Sequence, residues 1–162
     1  MRRAFARSLG STLLISVLLL VVSGRAAAGD KPLATDGDHV AIQGYDPVAY
    51  FTDGKAIKGS SRYAYSWDDA RWQFASPAHR QMFAADPDRY APQFGGFCAG
   101  ALANGVLVPA NPQTWAIVDG KLYMLAGPPN GIRAWQANAA ANIERANKNW
   151  PDAEARWAAQ GQ

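Results

Sequence analysis

Tyr63-Ala64-Tyr65-Ser66-Trp67-Asp68-Asp69-Ala70-Arg71-Trp72-Gln73-Phe74-Ala75-Ser76-Pro77 is the stretch that decides the fold. Tyr63, Tyr65 and Trp67 alternate, so they share one face of a strand, and Trp72 and Phe74 alternate on a returning strand. Asp68-Asp69-Ala70 supplies the turn between them. Aromatic pairs across two antiparallel strands stabilise a sheet, and one face of such a hairpin must be buried. Ser76-Pro77 then opens a helix, with Ser at the N-cap and Pro at the first helical position. His79 and Phe83 stand four residues apart on that helix and share a face. The helix is expected to stop near Asp86-Pro87, and Trp67, Trp72, Phe74 and Phe83 are expected to be core neighbours.

The same grammar extends in both directions. Downstream, Phe97 to Ala103 reads as a short helix ended by Gly105. Thr114 to Val118, Asp119-Gly120 and Lys121 to Leu125 read as a second hairpin, because Asp-Gly between apolar runs favours a two-residue turn. Ile132, Trp135, Ala139, Ile143, Ala146 and Trp150 step by three or four, an amphipathic helix that should dock on the sheet. Pro151 is expected to break it, with a last short helix to Ala159. Upstream, Val40-Ala41-Ile42 reads as a short strand ended by Gly44, and Asp46-Pro47 as a turn. No internal repeat is apparent in the residues. The expected class is α+β, a small domain of two β-hairpins with packed helices and a C-terminal amphipathic helix.

The N-terminus reads as an export signal. Arg2, Arg3 and Arg7 precede an apolar run from Leu13 to Val22, and Ala26-Ala27-Ala28 ends the segment with small residues. The run is shorter than the roughly 20 apolar residues of a spanning helix, so cleavage after Ala28 is expected, with no stable membrane anchor left. The Leu-rich run fits the general secretory route better than the twin-arginine route. The full chain carries a formal charge of +3, but residues 1–28 hold four Arg and no acid, which leaves 12 Lys+Arg against 13 Asp+Glu. That balance gives no basic stripe for nucleic acid. The expected organisation is a signal peptide over 1–28, a flexible leader over 29–38, a domain over 39–126 and a helical extension over 127–162, in the periplasm.

Signatures of enzymes are sparse. The chain has no nucleophile elbow, no His-Glu-x-x-His, no Cys-x-x-Cys and no phosphate-binding Gly loop. His39 and His79 are its two histidines, and Cys98 its one cysteine. His79 is either a half-buried helix residue beside Phe83 or a metal ligand. Cys98 lies between Gly95-Gly96-Phe97 and Ala99-Gly100, whose small residues let a ligand approach; it is otherwise a small buried apolar residue. His39 beside Asp36 and Asp38 reads as a solvated turn.

Gly44-Tyr45-Asp46-Pro47-Val48-Ala49-Tyr50-Phe51, Trp72-Gln73-Phe74-Ala75-Ser76, Asp86-Pro87-Asp88-Arg89-Tyr90-Ala91-Pro92, Gly95-Gly96-Phe97-Cys98-Ala99 and Asn147-Lys148-Asn149-Trp150-Pro151 together resemble the exported YHS-domain proteins. The resemblance places the domain over 39–126 and implies a small α+β module related to heavy-metal-binding domains. Metal-type members read Asp-Pro-Val-Cys and Phe-Cys-Ser-x-x-Cys at two of these stretches. Their three Cys fall on Ala49, Ala75 and His79 here, so two thiols are lost and one is replaced by imidazole. The resemblance then implies a metal site built from His79 and Cys98, completed by oxygen ligands such as Asp46 or Tyr50 or by a second chain, with copper(I) or another soft or borderline ion as the cofactor.

Three functions follow as expectations. The first is a non-catalytic periplasmic metal-binding module. The second is a metal-free scaffold that binds a small ligand or a periplasmic protein partner. The third, and the least favoured, is a thiol enzyme using Cys98 and His79 as nucleophile and base.

Overall fold

The computed structural model describes residues 32–160, so the export signal expected over 1–28 lies outside the described residues. The fold is α+β. In chain order the elements are α1 (Ala49–Thr52), β1 (Ser60–Trp67), β2 (Ala70–Phe74), α2 (Pro77–Ala85), α3 (Pro87–Tyr90), α4 (Ala99–Leu102), β3 (Asn111–Val118), β4 (Lys121–Leu125), α5 (Ile132–Gln136) and α6 (Ala139–Ala159). Short 3₁₀ turns occupy Ile42–Gly44, Gln93–Gly96 and Pro129–Gly131. β1 pairs with β2 and β3 with β4, each antiparallel, as two separate two-stranded sheets.

Local chemistry sets both hairpins. Asp68 and Asp69 have φ of 51° and 54°, and Asp119 and Gly120 have 50° and 73°. Two successive left-handed residues make the tight turn whose twist matches the flanking strands. The first turn therefore needs two residues, not three, and Ala70 already pairs with Trp67. Ser76 caps α2 as expected, its Oγ accepting from the His79 amide at 3.1 Å. Val40 and Ala41 form only isolated bridges, because the backbone turns left-handed at Ile42, Gln43 and Gly44 directly after them.

Two cores meet at β4. Leu122 and Met124 belong to a cluster with Tyr50, Trp72, Phe74 and Phe83. Tyr123 and Leu125 belong to a second with Leu102, Trp135, Ala146 and Ala153. Successive strand side chains point to opposite faces, so one strand buried on both sides serves both clusters. Phe83 is the hub of the first, with its ring centroid 5.0 Å from Trp72, 5.2 Å from Phe74 and 5.7 Å from Trp67. The expected four-residue aromatic core is therefore present.

The helix expected through Ile132 to Trp150 is broken at Ala137-Asn138, between α5 and α6, and two further expectations are overturned. Pro151 does not break the last helix: α6 runs through it from Ala139 to Ala159. Ala146 and Ala153, on either side of the proline, are both fully buried. Asn149 Nδ2 donates to Leu102 O at 2.9 Å, and Arg156 Nη2 to Gly105 O at 2.9 Å. Packing against α4 thus holds the helix together on both sides of the residue that lacks an N–H, outweighing a penalty of about 3 kcal/mol.

A repeat is also present. Ile42-Gln43-Gly44 and Phe94-Gly95-Gly96 are successive left-handed residues. Each triplet leads through an aromatic residue, Tyr45 or Phe97, to a residue whose side chain accepts from the amide three positions on, Ala49 or Ala101, in a four-residue helix. Tyr45 bridges to Lys58 and Phe97 to Pro109, both antiparallel. The Asp46 amide donates to Ile57 O and the Cys98 amide to Val108 O, each at 2.8 Å. An eight-residue strand, a two-residue turn and a five-residue strand follow in both units. Both first strands even carry the same three-residue bulge, between Ser60 and Ala64 and between Asn111 and Trp115. The correspondence lies in the backbone, with few side-chain identities, which is why the residues alone do not show it.

Candidate functional site

Asp46 is the centre of the first unit. It is fully buried, and four hydrogen atoms converge on its carboxylate. Oδ1 accepts from the Val48 amide at 2.9 Å and the Ala49 amide at 3.3 Å, which starts α1. Oδ2 accepts from the Ala75 amide at 2.8 Å and from His79 Nδ1 at 2.7 Å. Buried carboxylates require such partners, and this one is saturated. The turn read at Asp46-Pro47 is thus the anchor that joins α1, the end of β2 and α2.

The same contacts define His79. A carboxylate only accepts, so Nδ1 is the donor and, in the neutral ring, Nε2 carries the lone pair. Nε2 lies 3.4 Å from Thr52 Oγ1 and 3.6 Å from Asp53 Oδ2. Thr52 Oγ1 in turn donates to Asp53 Oδ2 at 2.7 Å. The His79 side chain is 17% exposed and that of Asp53 41%, so Nε2 faces the surface through a small polar rim. Thr52 and Asp53 read in the sequence only as a tight turn. Their approach to a residue 27 positions away had no local signal.

Ala49, Ala75 and His79 all donate to Asp46. They are brought together in space although they span 31 sequence positions. Cys98 is elsewhere. It is buried in the second cluster, where its Sγ accepts from the Ala101 amide at 3.3 Å and caps α4. It occupies in the second unit the place that Asp46 occupies in the first. No hydrogen bond joins it to His79, and no group of three or more His, Cys, Asp or Glu is placed to hold a metal ion among the described residues. His39 is exposed, with φ of 56°, in the turn beside Asp36.

Further from the rim, the Tyr50 phenol donates to Pro112 O at 2.9 Å and is held above its ordinary range by burial, with Tyr45 and Asp46 adding to the effect. Tyr123 is raised too, by burial and then by Asp119. No helix among the described residues is long and apolar enough to cross a membrane. Comparison with protein-family models, curated proteins and solved structures gives no match.

Proposed function

We propose that this chain is a non-catalytic, exported YHS-type module that carries a copper-related metal ion on His79. The observation that supports the reading is the Asp46–His79 hydrogen bond at 2.7 Å from a fully buried carboxylate. Metal-binding histidines usually donate their other ring N–H to a carboxylate, which fixes the tautomer and aims the free nitrogen outward. Here Asp46 is the orienting partner, and its saturated oxygens act on an ion through His79. Asp53 Oδ2, 3.6 Å from Nε2, is the charged second donor at the rim.

This donor set differs in softness from the pair expected in the sequence. Imidazole and carboxylate suit a borderline ion such as copper(II), and thiolate suits copper(I). Two protein donors leave the remaining positions to water or to a partner's ligand, which fits delivery of an ion better than its permanent retention. The export of the chain and its kinship with YHS domains rest on the sequence reading.

Copper(II) and, under anaerobic conditions, copper(I) should be titrated into purified protein against competing chelators. Wild type should bind one equivalent of copper(II). His79→Gln should lose that binding, because Gln keeps a donor for Asp46 but has no imidazole. Asp53→Asn should weaken it, and His39→Ala and Cys98→Ser should leave it unchanged. Equal binding by wild type and His79→Gln would refute the reading. Loss of copper(I) on Cys98→Ser would restore the soft pair and remove Asp53 as a ligand.

A further inference from the structure

A large cleft lies away from His79. It has a volume of about 990 Å³ and runs between the leader at Leu33, the tip of the first hairpin, the Gly105–Leu107 loop and the end of α6. A small-molecule site of roughly 300–1,000 Å³ is ordinary for proteins, and this cleft lies at the upper end. One end is apolar. Phe97 and Trp157 meet edge to face at 5.4 Å there, beside Leu107 and Val106, and Val106 leaves 53% of its surface exposed.

The other end is acidic. Asp68 and Asp69 line both this cleft and an adjoining one of about 440 Å³, so they stand at the junction of the two. Neither forms an ion pair with any described residue; the ion pairs found among those residues both involve His79. Asp36, also in the wall, spends Oδ1 on the Asp38 and Val40 amides. Arg156, the one Lys or Arg of the wall, is turned to Gly105 O at 2.9 Å. The wall thus carries Asp36, Asp68 and Asp69 against Arg156, with His39 lining both clefts and Arg71 the adjoining one, so carboxylates outnumber guanidinium groups in the larger cleft, which also has an aromatic wall.

We propose that this cleft binds an amphipathic organic cation, its apolar body against Phe97, Val106, Leu107 and Trp157 and its positive group against Asp68 and Asp69. Complementary charge selects the ligand's sign, and burial of its body supplies most of the affinity. An anion of the same shape meets two carboxylates that form no ion pair and binds more weakly. The assignment is independent of the metal reading, since no cleft residue touches the Asp46–His79 pair.

Tetraphenylphosphonium and tetraphenylborate, close in shape and opposite in charge, make the test. Each is titrated into the full chain with a chelator present, and binding is followed by calorimetry and tryptophan fluorescence. The cation should bind saturably at one site, and the anion at least tenfold more weakly. The double variant Asp68→Asn/Asp69→Asn should lose at least tenfold in cation affinity with its melting temperature retained, because Asn tolerates the left-handed turn. Trp157→Phe should keep the calorimetric signal and lose most of the fluorescence change, and His79→Gln should bind as wild type. The proposal is overturned if the anion binds as well as the cation, if the double variant binds unchanged, or if wild type shows no saturable binding up to millimolar cation.

Discussion

Removing the Asp46 carboxylate is the most direct test of how the first unit is held. In Asp46→Ala the amides of Val48, Ala49 and Ala75 and Nδ1 of His79 all lose their acceptor. Loss of the cap on α1 costs about 1 kcal/mol. An amide left buried without a partner costs roughly 1–3 kcal/mol, which is the upper bound for the Ala75 amide, since Ala75 is exposed and its bond to Asp46 only part-buried. His79 can turn to solvent, so its loss adds little. The expected destabilisation is roughly 2–4 kcal/mol, a large share of the 5–15 kcal/mol that holds an ordinary domain. Asp46→Asn is nearly isosteric and keeps an oxygen for Val48 and Ala49. It sets an NH₂ against the Ala75 amide, donor facing donor, and should cost less than Ala, about 2 kcal/mol. Urea unfolding with a common slope gives both numbers. A loss below about 1 kcal/mol for Asp46→Ala would show that the amides find other partners and that Asp46 is not the anchor.

Three other outcomes are expected. Phe74→Ala should cost about 3–5 kcal/mol by thermal or urea unfolding, because the ring is fully buried against Phe83. The raised phenols of Tyr50 and Tyr123 ionise later in the folded chain than in the unfolded one, where Tyr keeps its value of 10.0. Their contribution is complete below pH 10 and is lost as pH rises above it, so unfolding free energy should fall with pH there and fall less steeply in Tyr50→Phe. Pro151→Ala restores a helical N–H opposite the Asn147 carbonyl and should stabilise by about 1–3 kcal/mol, read as a raised melting temperature.

What the sequence disclosed was local. The two hairpins rest on alternation and on turn residues two positions wide, and the start of α2 rests on Ser76 and Pro77; each signal lies within a few residues of what it controls. The passage of α6 through Pro151 was hidden because it depends on Ala146 and Ala153 meeting α4, more than forty residues upstream. The rim at His79 was hidden for the same reason. Asp46 gathers partners from Val48 to His79, and only the assembled fold shows that its carboxylate has no lone pair to spare.

The repeat explains why the histidine and the cysteine, paired in the sequence reading, part company in space. Asp46 and Cys98 hold corresponding posts, each fed by a left-handed triplet and each accepting from the amide three residues on. A carboxylate there accepts four hydrogen bonds and so draws in His79 from the helix after its hairpin. A thiol is a weak acceptor and takes one, from Ala101. The helix after the second hairpin accordingly offers an apolar face, and a Cβ placed on Gly100 would lie 3.5 Å from Trp135 Cδ1 and 3.8 Å from Cys98 Sγ. One post therefore builds a polar rim open to solvent, and its counterpart is sealed within the second core. Solvent thus reaches the His79 imidazole and the Asp53 carboxylate more readily than the Cys98 thiol, whose residue is 5% exposed.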